Sequence, residues 1–248
     1  MEKVLVVTGG GRGIGAASAL LAAARGYAVA VNYQKNRGAA DAVVQKISQS
    51  GGKALAVAGD VAVEADVVRI FETVDRALGR VSGLVNNAGI VDRGTRVEHI
   101  SAERLARMWA INVTGSFLCA REAVKRMSTR HGGKGGAIVN VSSIAARLGG
   151  AGEYVDYAAS KGAIDTFTVG LAKEVGAEGI RVNAVRPGII RTDIHIASGD
   201  PGRVERIGAT APLQRPGEAD EVAQAIVWLL SDEASYMTGA LVDVTGGR

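Results

Sequence analysis

The stretch Val4-Leu5-Val6-Val7-Thr8-Gly9-Gly10-Gly11-Arg12-Gly13-Ile14-Gly15 decides the fold. Four apolar residues in a row read as a strand buried on both faces, and the turn after them opens into an amphipathic stretch over 13–25. Glycines at 9, 13 and 15 let the chain turn tightly and let backbone N–H groups approach a pyrophosphate at the helix N-terminus. The spacing is G-x-x-x-G-x-G rather than the common G-x-G-x-x-G. No Lys-Ser/Thr follows the last glycine, as a P-loop would require. Alone, this turn indicates a nucleotide and nothing finer, and a glycine-rich turn that binds nothing reads the same way.

The pattern repeats outward from that turn. Apolar runs at Val4–Val7, Ala28–Val31, Ala54–Val57, Gly83–Val85, Ala137–Val141, Arg181–Val185 and Ala240–Val244 contain little polar alternation, as strands of a parallel sheet do. Between them lie amphipathic stretches near 13–25, 37–50, 64–79, 101–128, 155–178 and 218–231. Six β-α units closed by a seventh strand, with right-handed crossovers, give an α/β fold: a doubly wound, Rossmann-type parallel sheet with helices on both faces. No linker or change of composition divides the chain, so residues 1–248 read as one domain. The longest stretch without a period is 187–215, a length of loop that is usually functional. Ligands of such a sheet bind beyond the carboxyl ends of its strands.

Composition narrows the alternatives. The 248 residues include 34 glycines but only 4 prolines, without a G-X-Y period, which excludes collagen. With 47% hydrophobic and 22% charged residues, disorder is excluded as well. The single cysteine, Cys119, lies in an apolar stretch and reads as inert core; no clustered thiols suggest zinc, and no metal site is expected. The Met1–Val7 segment is too short in its apolar run for a signal peptide, and no run of about 18 apolar residues spans a membrane. The expectation is a reduced, cytoplasmic protein. The net charge of +4 raises nucleic acid as a partner. However, the densest basic stretch (Arg121, Lys125, Arg126, Arg130, His131, Lys134) carries no aromatics and ends a helix, where the macrodipole favours cations. Neither nucleic acid nor membrane is expected as a partner.

The second strand runs into Asn32-Tyr33-Gln34-Lys35-Asn36-Arg37, with no acid before Asp41. An acid at this place would bond the adenosine 2′-hydroxyl, whereas basic residues accommodate a 2′-phosphate. Arg12, Lys35 and Arg37 are available, which favours NADP over NAD; Lys35 and Arg37 as solvated charges at a helix start is the plainer reading. Asp60-Val61 follows the third strand and Asn86-Asn87-Ala88-Gly89 the fourth, at the same sheet edge as the glycine turn. In Tyr157-Ala158-Ala159-Ser160-Lys161 the tyrosine and lysine share a helix face at i and i+4. An ammonium nearby stabilises phenolate, lowering the tyrosine pKa towards the range useful for general acid–base work. Ser142-Ser143 ends the fifth strand just upstream, where a hydroxyl could bond a substrate carbonyl. The three histidines (His99, His131, His195) fall in peripheral segments, and no G-x-S-x-G surrounds either serine, so no nucleophilic triad is read.

Taken together, T-G-x-x-x-G-x-G, N-N-A-G, the serine after strand five, Y-x-x-x-K and Arg186-Pro187-Gly188 make the chain resemble the classical short-chain dehydrogenases/reductases over essentially its whole length. The resemblance implies reversible hydride transfer between NADP(H), with NAD the alternative, and a carbonyl/secondary alcohol pair. It makes Tyr157 the general acid/base and has Lys161 bind the nicotinamide ribose and assist the tyrosine. Ser143 would orient the carbonyl, and Asn112 would complete the set by holding a water near the lysine. It also implies that Gly9, Arg12, Ile14 and Gly15 contact the phosphates and that Asn32, Tyr33 and Gln34 meet the adenosine end. Asp60 and Val61 would flank adenine, Asn87, Ala88 and Gly89 would line the ribose side, and Pro187, Gly188, Ile190 and Thr192 would hold the nicotinamide. Similar members include 3-oxoacyl-acyl-carrier-protein reductases and sugar dehydrogenases of the glucose dehydrogenase kind.

Two departures from the family pattern lie near the expected substrate mouth: Arg186 before Pro187-Gly188, and the segment Glu153-Tyr154-Val155-Asp156 between Ser143 and Tyr157. The loop at about 189–215 is expected to cover a small-molecule substrate, with Ile194, His195 and Ile196 as contacts. Arg186, Arg191 and Arg203 would favour an anionic substrate or carrier. The glycines at 149, 150 and 152 would loosen substrate entry. The resemblance further implies a homotetramer, or a homodimer, with the helices near 101–128 and 155–178 packing across one interface and Gly239 to Gly247 at another. A catalytically silent nucleotide sensor or scaffold on the same fold is the alternative.

Overall fold

A computed structural model describes residues 3–192, 200 and 202–248. The chain runs through β1 (Lys3–Val7), α1 (Gly13–Ala24), β2 (Tyr27–Tyr33), α2 (Arg37–Gln49), β3 (Ala54–Ala58), α3 (Glu64–Ala77) and β4 (Gly83–Asn86). It continues with α4 (Ala102–Trp109), α5 (Gly115–Met127), β5 (Gly136–Val141), α6 (Ala145–Leu148), α7 (Val155–Val175) and β6 (Ile180–Pro187). The C-terminal part adds β7 (Ile190–Arg191), α8 (Arg203–Gly208), β8 (Gly217–Glu218), α9 (Ala219–Leu230) and β9 (Leu241–Val244).

Seven parallel strands pair in the order β3-β2-β1-β4-β5-β6-β9. Chain order reverses direction between β1 and β4, where Leu5, Val6 and Val7 pair with Gly83, Leu84 and Val85. This opens a crevice at their carboxyl ends. The period-2 geometry of each strand sorts its side chains between two cores. Leu5, Val7, Val29, Val31, Val139 and Val185 face α1, α2 and α9 through Ala19, Val43, Ile47, Val222 and Ile226. Val4, Val6, Ala28, Ala30, Leu84 and Ile138 face α3, α5 and α7 through Ile70, Phe71, Ala123, Met127 and Val175. Runs without polar alternation are the consequence, because both faces of every central strand are dry.

Three departures from the sequence reading concern the connecting segments. The stretch 101–128 is not one helix: α4 and α5 are separated by a π-helical turn over Ala110–Thr114. The stretch 187–215 contains β7 and α8, and β7 pairs with β8 in a two-stranded ribbon. The glycine-rich segment before α7 is a set of tight turns rather than a loose one. Gly150 sits at φ 63°, its carbonyl accepts from the N–H groups of Glu153 and Tyr154, and a Cβ there would come within 2.8 Å of the Tyr154 carbonyl oxygen.

Cys119 is buried in the second core, and burial pushes its thiol up to about 12, so it is inert at neutral pH. In the basic stretch, Arg121, Lys125 and Arg126 converge on buried Glu122, while Arg130 pairs with Glu178. The Glu122 pairs lie within α5 itself, while Arg121 also reaches Glu64, Arg126 reaches Asp75 and Arg130 reaches Glu178 across the packing. Among the described residues, no helix is long and apolar enough to cross a membrane.

Candidate active site

A cavity of about 730 Å³ occupies the crevice above β1, β4, β5 and β6. Gly9, Arg12 and Ile14 line it, as do Asn32, Tyr33, Gln34, Asp60, Val61, Asn87, Ala88 and Gly89. The opposite wall includes Ser143, Tyr157, Lys161, Pro187, Gly188, Ile190 and Thr192. Gly15 and Asn112 lie one layer behind. Ile194, His195 and Ile196 fall outside the described residues.

The glycine turn is held by backbone-directed contacts. Thr8 Oγ1 accepts from the N–H groups of Asn87 (2.9 Å) and Ala88 (3.0 Å). Asn87 Nδ2 donates to the carbonyls of Thr8 (2.9 Å) and Gly9 (3.1 Å). Gly15 packs beneath this amide: a Cβ there would lie 2.5 Å from both Asn87 Nδ2 and the Gly9 oxygen. Its absent side chain therefore fits the turn against the loop after β4, and Gly15 itself does not line the cavity. Asn32 is also structural, donating from Nδ2 to the carbonyls of Val57 (3.2 Å) and Gly59 (3.0 Å) and accepting from Gly9 N–H (3.3 Å). The first N–H groups of α1 have no side-chain cap and no acidic residue in the first turn. That leaves them and the positive end of the helix dipole directed at the cavity.

At the β2 end, Gln34 Nε2 donates to Asp60 Oδ2 (2.6 Å), and Asp60 Oδ1 accepts from Ala62 N–H (2.9 Å). Lys35 and Arg12 line the cavity, and neither pairs with a carboxylate among the described residues. Arg37 does not line it and pairs with Asp41 at 3.2 Å. Of the three cations, Arg12 and Lys35 line the cavity and Arg37 does not.

The polar centre joins four elements. Tyr157 and Lys161 stand one turn apart on α7, with the lysine Nζ 5.7 Å from the tyrosine ring centroid. Lys161 Nζ donates to the Val141 carbonyl (2.7 Å) at the end of β5, while Ser142 Oγ donates to the Lys161 carbonyl (3.2 Å). Ser143 Oγ accepts from Ala145 N–H (3.1 Å), and its hydroxyl lies near enough to Tyr157 to favour the phenolate against the effect of burial. Asn112, in the π-helical turn, accepts from Ile90 N–H (2.8 Å) and donates to the Ile90 carbonyl (3.0 Å) and to Ser160 Oγ (3.1 Å). The turn thus aims an amide at the segment after Gly89, a use to which single-turn π-bulges are frequently put. The N-terminus of α7 is pinned by Arg104, whose Nε lies 2.7 Å from buried Asp156. Burial alone would raise the Asp156 carboxyl, but hydrogen bonds from Arg104 hold it below the usual range.

The sequence reading placed Tyr157 below its ordinary pKa, and this is corrected. Burial raises it, and the Ser143 hydroxyl opposes only part of that. Burial also pulls Lys161 down to about 8, with Asp165 opposing. Desolvation acts on both groups and favours their neutral forms.

Beyond this centre the wall is apolar, formed by Leu148, Ala151, Tyr154, Ile189 and Ile207. Arg203 of α8 crosses it, pairing with Glu153 at 2.7 Å and stacking 4.9 Å from the Tyr154 ring centroid. Reading the sequence did not find this bracket or the Asn112–Ser160 contact. The expectation that Arg186, Arg191 and Arg203 favour an anion is likewise corrected. Arg186 pairs with Asp165 and Asp243, Arg191 with Glu205 and Glu218, and Arg203 with Glu153.

A doubly wound parallel sheet carrying this crevice, with its glycine turn and Tyr-x-x-x-Lys helix, defines a nucleotide-dependent oxidoreductase of the Rossmann type. Comparisons agree. The family model described as Enoyl-(Acyl carrier protein) reductase matches residues 9–248. The chain is 58% identical to the uncharacterised oxidoreductase YgfF of Escherichia coli, covering 99% of each. It is 40% identical to a 3-oxoacyl-[acyl-carrier-protein] reductase of Synechocystis, covering 99% of this chain and 96% of the relative. A mutant of a Serratia marcescens short-chain dehydrogenase/reductase superposes with a TM-score of 0.90 at 33% identity, covering 99% of this chain and 97% of the other. The chain belongs to the short-chain dehydrogenase/reductase family, whose members use a nicotinamide nucleotide.

Proposed function

We propose that residues 1–248 work as one catalytic unit, an NADP(H)-dependent oxidoreductase that interconverts a ketone and its secondary alcohol. The observation that carries this reading is the hydroxyl pair of Ser143 and Tyr157 beside buried Lys161, at the inner end of a cavity that begins at the glycine turn. A nicotinamide nucleotide held along the wall of Gly9, Arg12, Ile14 and Thr192 would supply the hydride for the carbonyl carbon. Tyr157 gives its phenolic proton to the carbonyl oxygen, completing the alcohol. Ser143 donates a hydrogen bond to the same oxygen and orients it. Lys161 stabilises the tyrosinate left behind and binds the nicotinamide ribose, while Asn112 holds the loop after Gly89 and a water near the lysine. Burial keeps the Tyr157 phenol protonated at neutral pH, as a proton donor in reduction must be, and oxidation, which needs the phenolate, is expected to accelerate as pH rises.

NADP is favoured by the absence of an acid between Asn32 and Arg37 together with Arg12 and Lys35 on the cavity wall. The apolar wall beyond Tyr157 suits a ketone with apolar substituents, in keeping with a relative described as a 3-oxoacyl reductase. Consumption of NADPH and NADH over a panel of ketones and 3-oxoacyl thioesters tests the assignment. An α,β-unsaturated ketone separates carbonyl from enoyl reduction: an allylic alcohol is expected, and a saturated ketone as the sole product would overturn the proposal. The chain further forms a homotetramer in this reading. Phe117, 47% exposed, stacks on Phe167 with centroids 3.7 Å apart on the α5 and α7 surface, where Trp109 of α4 is also exposed. Sedimentation of wild type and Phe117→Asp checks this, the variant being expected to dissociate.

A further inference from the structure

Lys161 is 5% exposed, and its burial brings its pKa close enough to neutrality for its neighbours to decide its charge. Several elements face it. The π-helical turn presents Asn112, the loop after β4 presents the Gly89 backbone, and the end of β5 presents the Val141 carbonyl and Ser142. None of these carries charge. On α7 itself the titratable groups that share the lysine's face are Tyr157 and Asp165, one turn to either side; Asp156, at the helix N-terminus, is held by Arg104. Asp165 is the one carboxylate among the described residues that bears electrostatically on the lysine. At i+4, its Cβ stands roughly 5–6 Å from that of Lys161.

Asp165 is 8% exposed, a costly place for a carboxylate unless it is paired. Arg186 Nε and Nη2 both approach Asp165 Oδ2 at 2.9 Å. Oδ1 is buried and takes no hydrogen bond among the described residues, so the arginine neutralises the group only from one side. Arg186 also reaches Asp243 at 3.4 Å, and Asp243 pairs with Arg147 at 2.7 Å. This alternating row ties α7 to β6, β9 and α6. It begins one turn from Lys161 and passes through the residue immediately before Pro187 and Gly188.

We propose that Asp165 is a positioning residue that keeps Lys161 charged, and that Arg186 limits how strongly it does so. The role rests on the acid/base reading of Tyr157 and Lys161. It explains why an arginine precedes Pro187-Gly188: by balancing Asp165 it leaves the lysine charged but able to lose a proton near neutrality.

The two halves of the pair act in opposite directions, which a merely structural role would not produce. In Asp165→Asn the ammonium loses its counter-charge and should titrate about one pH unit lower. In Arg186→Gln, Asp165 is left unbalanced, and Lys161 should keep its proton to higher pH. Arg186→Lys, which conserves the charge, should leave the titration near wild type. The direct measurement is a ¹³C NMR titration of protein labelled at lysine Cε, with the Lys161 signal assigned by its loss in Lys161→Met. The corresponding limb of the kcat profile should move in the same direction in each variant.

Opposite displacements support the proposal. Displacements of the same sign, or none in the variants that remain folded by thermal melting, overturn it. Opposite displacements in a protein that reduces no carbonyl would leave the charge balance standing and remove the oxidoreductase reading instead.

Discussion

The two ends of the cavity are held by different kinds of contact. At the glycine-turn end, side chains bond backbone: Thr8 to Asn87 and Ala88, Asn87 to Thr8 and Gly9, and Asn32 to Val57, Gly59 and Gly9. At the α8 end, side chain meets side chain: Arg203 on Glu153 and Tyr154, and Arg191 on Glu205 and Glu218. A backbone-directed lattice fixes residue size and amide chemistry at each position, because every group has one place to go. An ion pair over an apolar wall demands only opposite charges within reach. The first arrangement suits a ligand that does not vary, the second a ligand that can differ between relatives.

The strongest test strikes where the two ends meet. Tyr157→Phe should lower kcat by roughly 10³-fold, within the range of general acid catalysis. NADPH affinity, measured by fluorescence titration, should stay within about twofold, since this change removes one hydroxyl and little nucleotide contact. Retained turnover would remove Tyr157 from the chemistry. Next comes Gly15→Ala. A methyl 2.5 Å from Asn87 Nδ2 must force the turn and the loop after β4 apart. Overpacking of this kind costs about 1–3 kcal/mol, so a lower Tm and weakened binding of both NADPH and NADH are expected together. If the variant binds nucleotide normally, the backbone lattice is more forgiving than the comparison holds.

A smaller and more selective effect is expected from the cations of the same end. Arg12→Ala and Lys35→Ala should each weaken NADPH by roughly tenfold, the order of one charge-assisted hydrogen bond to phosphate, and leave NADH nearly unchanged. Equal losses for both nucleotides would return Lys35 to the status of a solvated charge and leave the 2′-phosphate without a recognised partner.

The difference between the ends also accounts for what could be read from the sequence. Strands such as Val4–Val7 and Ala28–Val31 were legible because both faces are dry, and the glycine-turn end because its residues fall in short motifs of restricted composition, although their contacts join residues up to 80 positions apart. The i,i+4 spacing of Tyr157 and Lys161 was legible too. The direction of the Tyr157 pKa was not, because desolvation depends on what the other elements place around the ring. The π-helical turn left no mark, since one extra residue per turn disturbs amphipathic periodicity too little to register. Arg203–Glu153 and Arg104–Asp156 each join residues about 50 positions apart. Arginines and carboxylates are common enough in this chain that no pattern singles out those pairs.

The gentlest test belongs to the α8 end. Arg203 is 15% exposed and Glu153 half exposed, so their pairing is partly screened and contributes modestly to stability. Arg203→Ala should leave Tm within a few degrees of wild type and NADPH affinity unchanged. What it removes is the bracket holding α8 over Tyr154, and the expected result is a rise in ketone KM of a few-fold with kcat nearly constant, as for loss of uniform substrate binding. Glu153→Gln keeps the stacking of Arg203 on the Tyr154 ring while removing the carboxylate, so it should show a smaller rise. If an anionic ketone then gains relative to a neutral one, the unpaired guanidinium has become an anion site. That outcome would show Glu153 to be the residue that keeps the substrate end apolar.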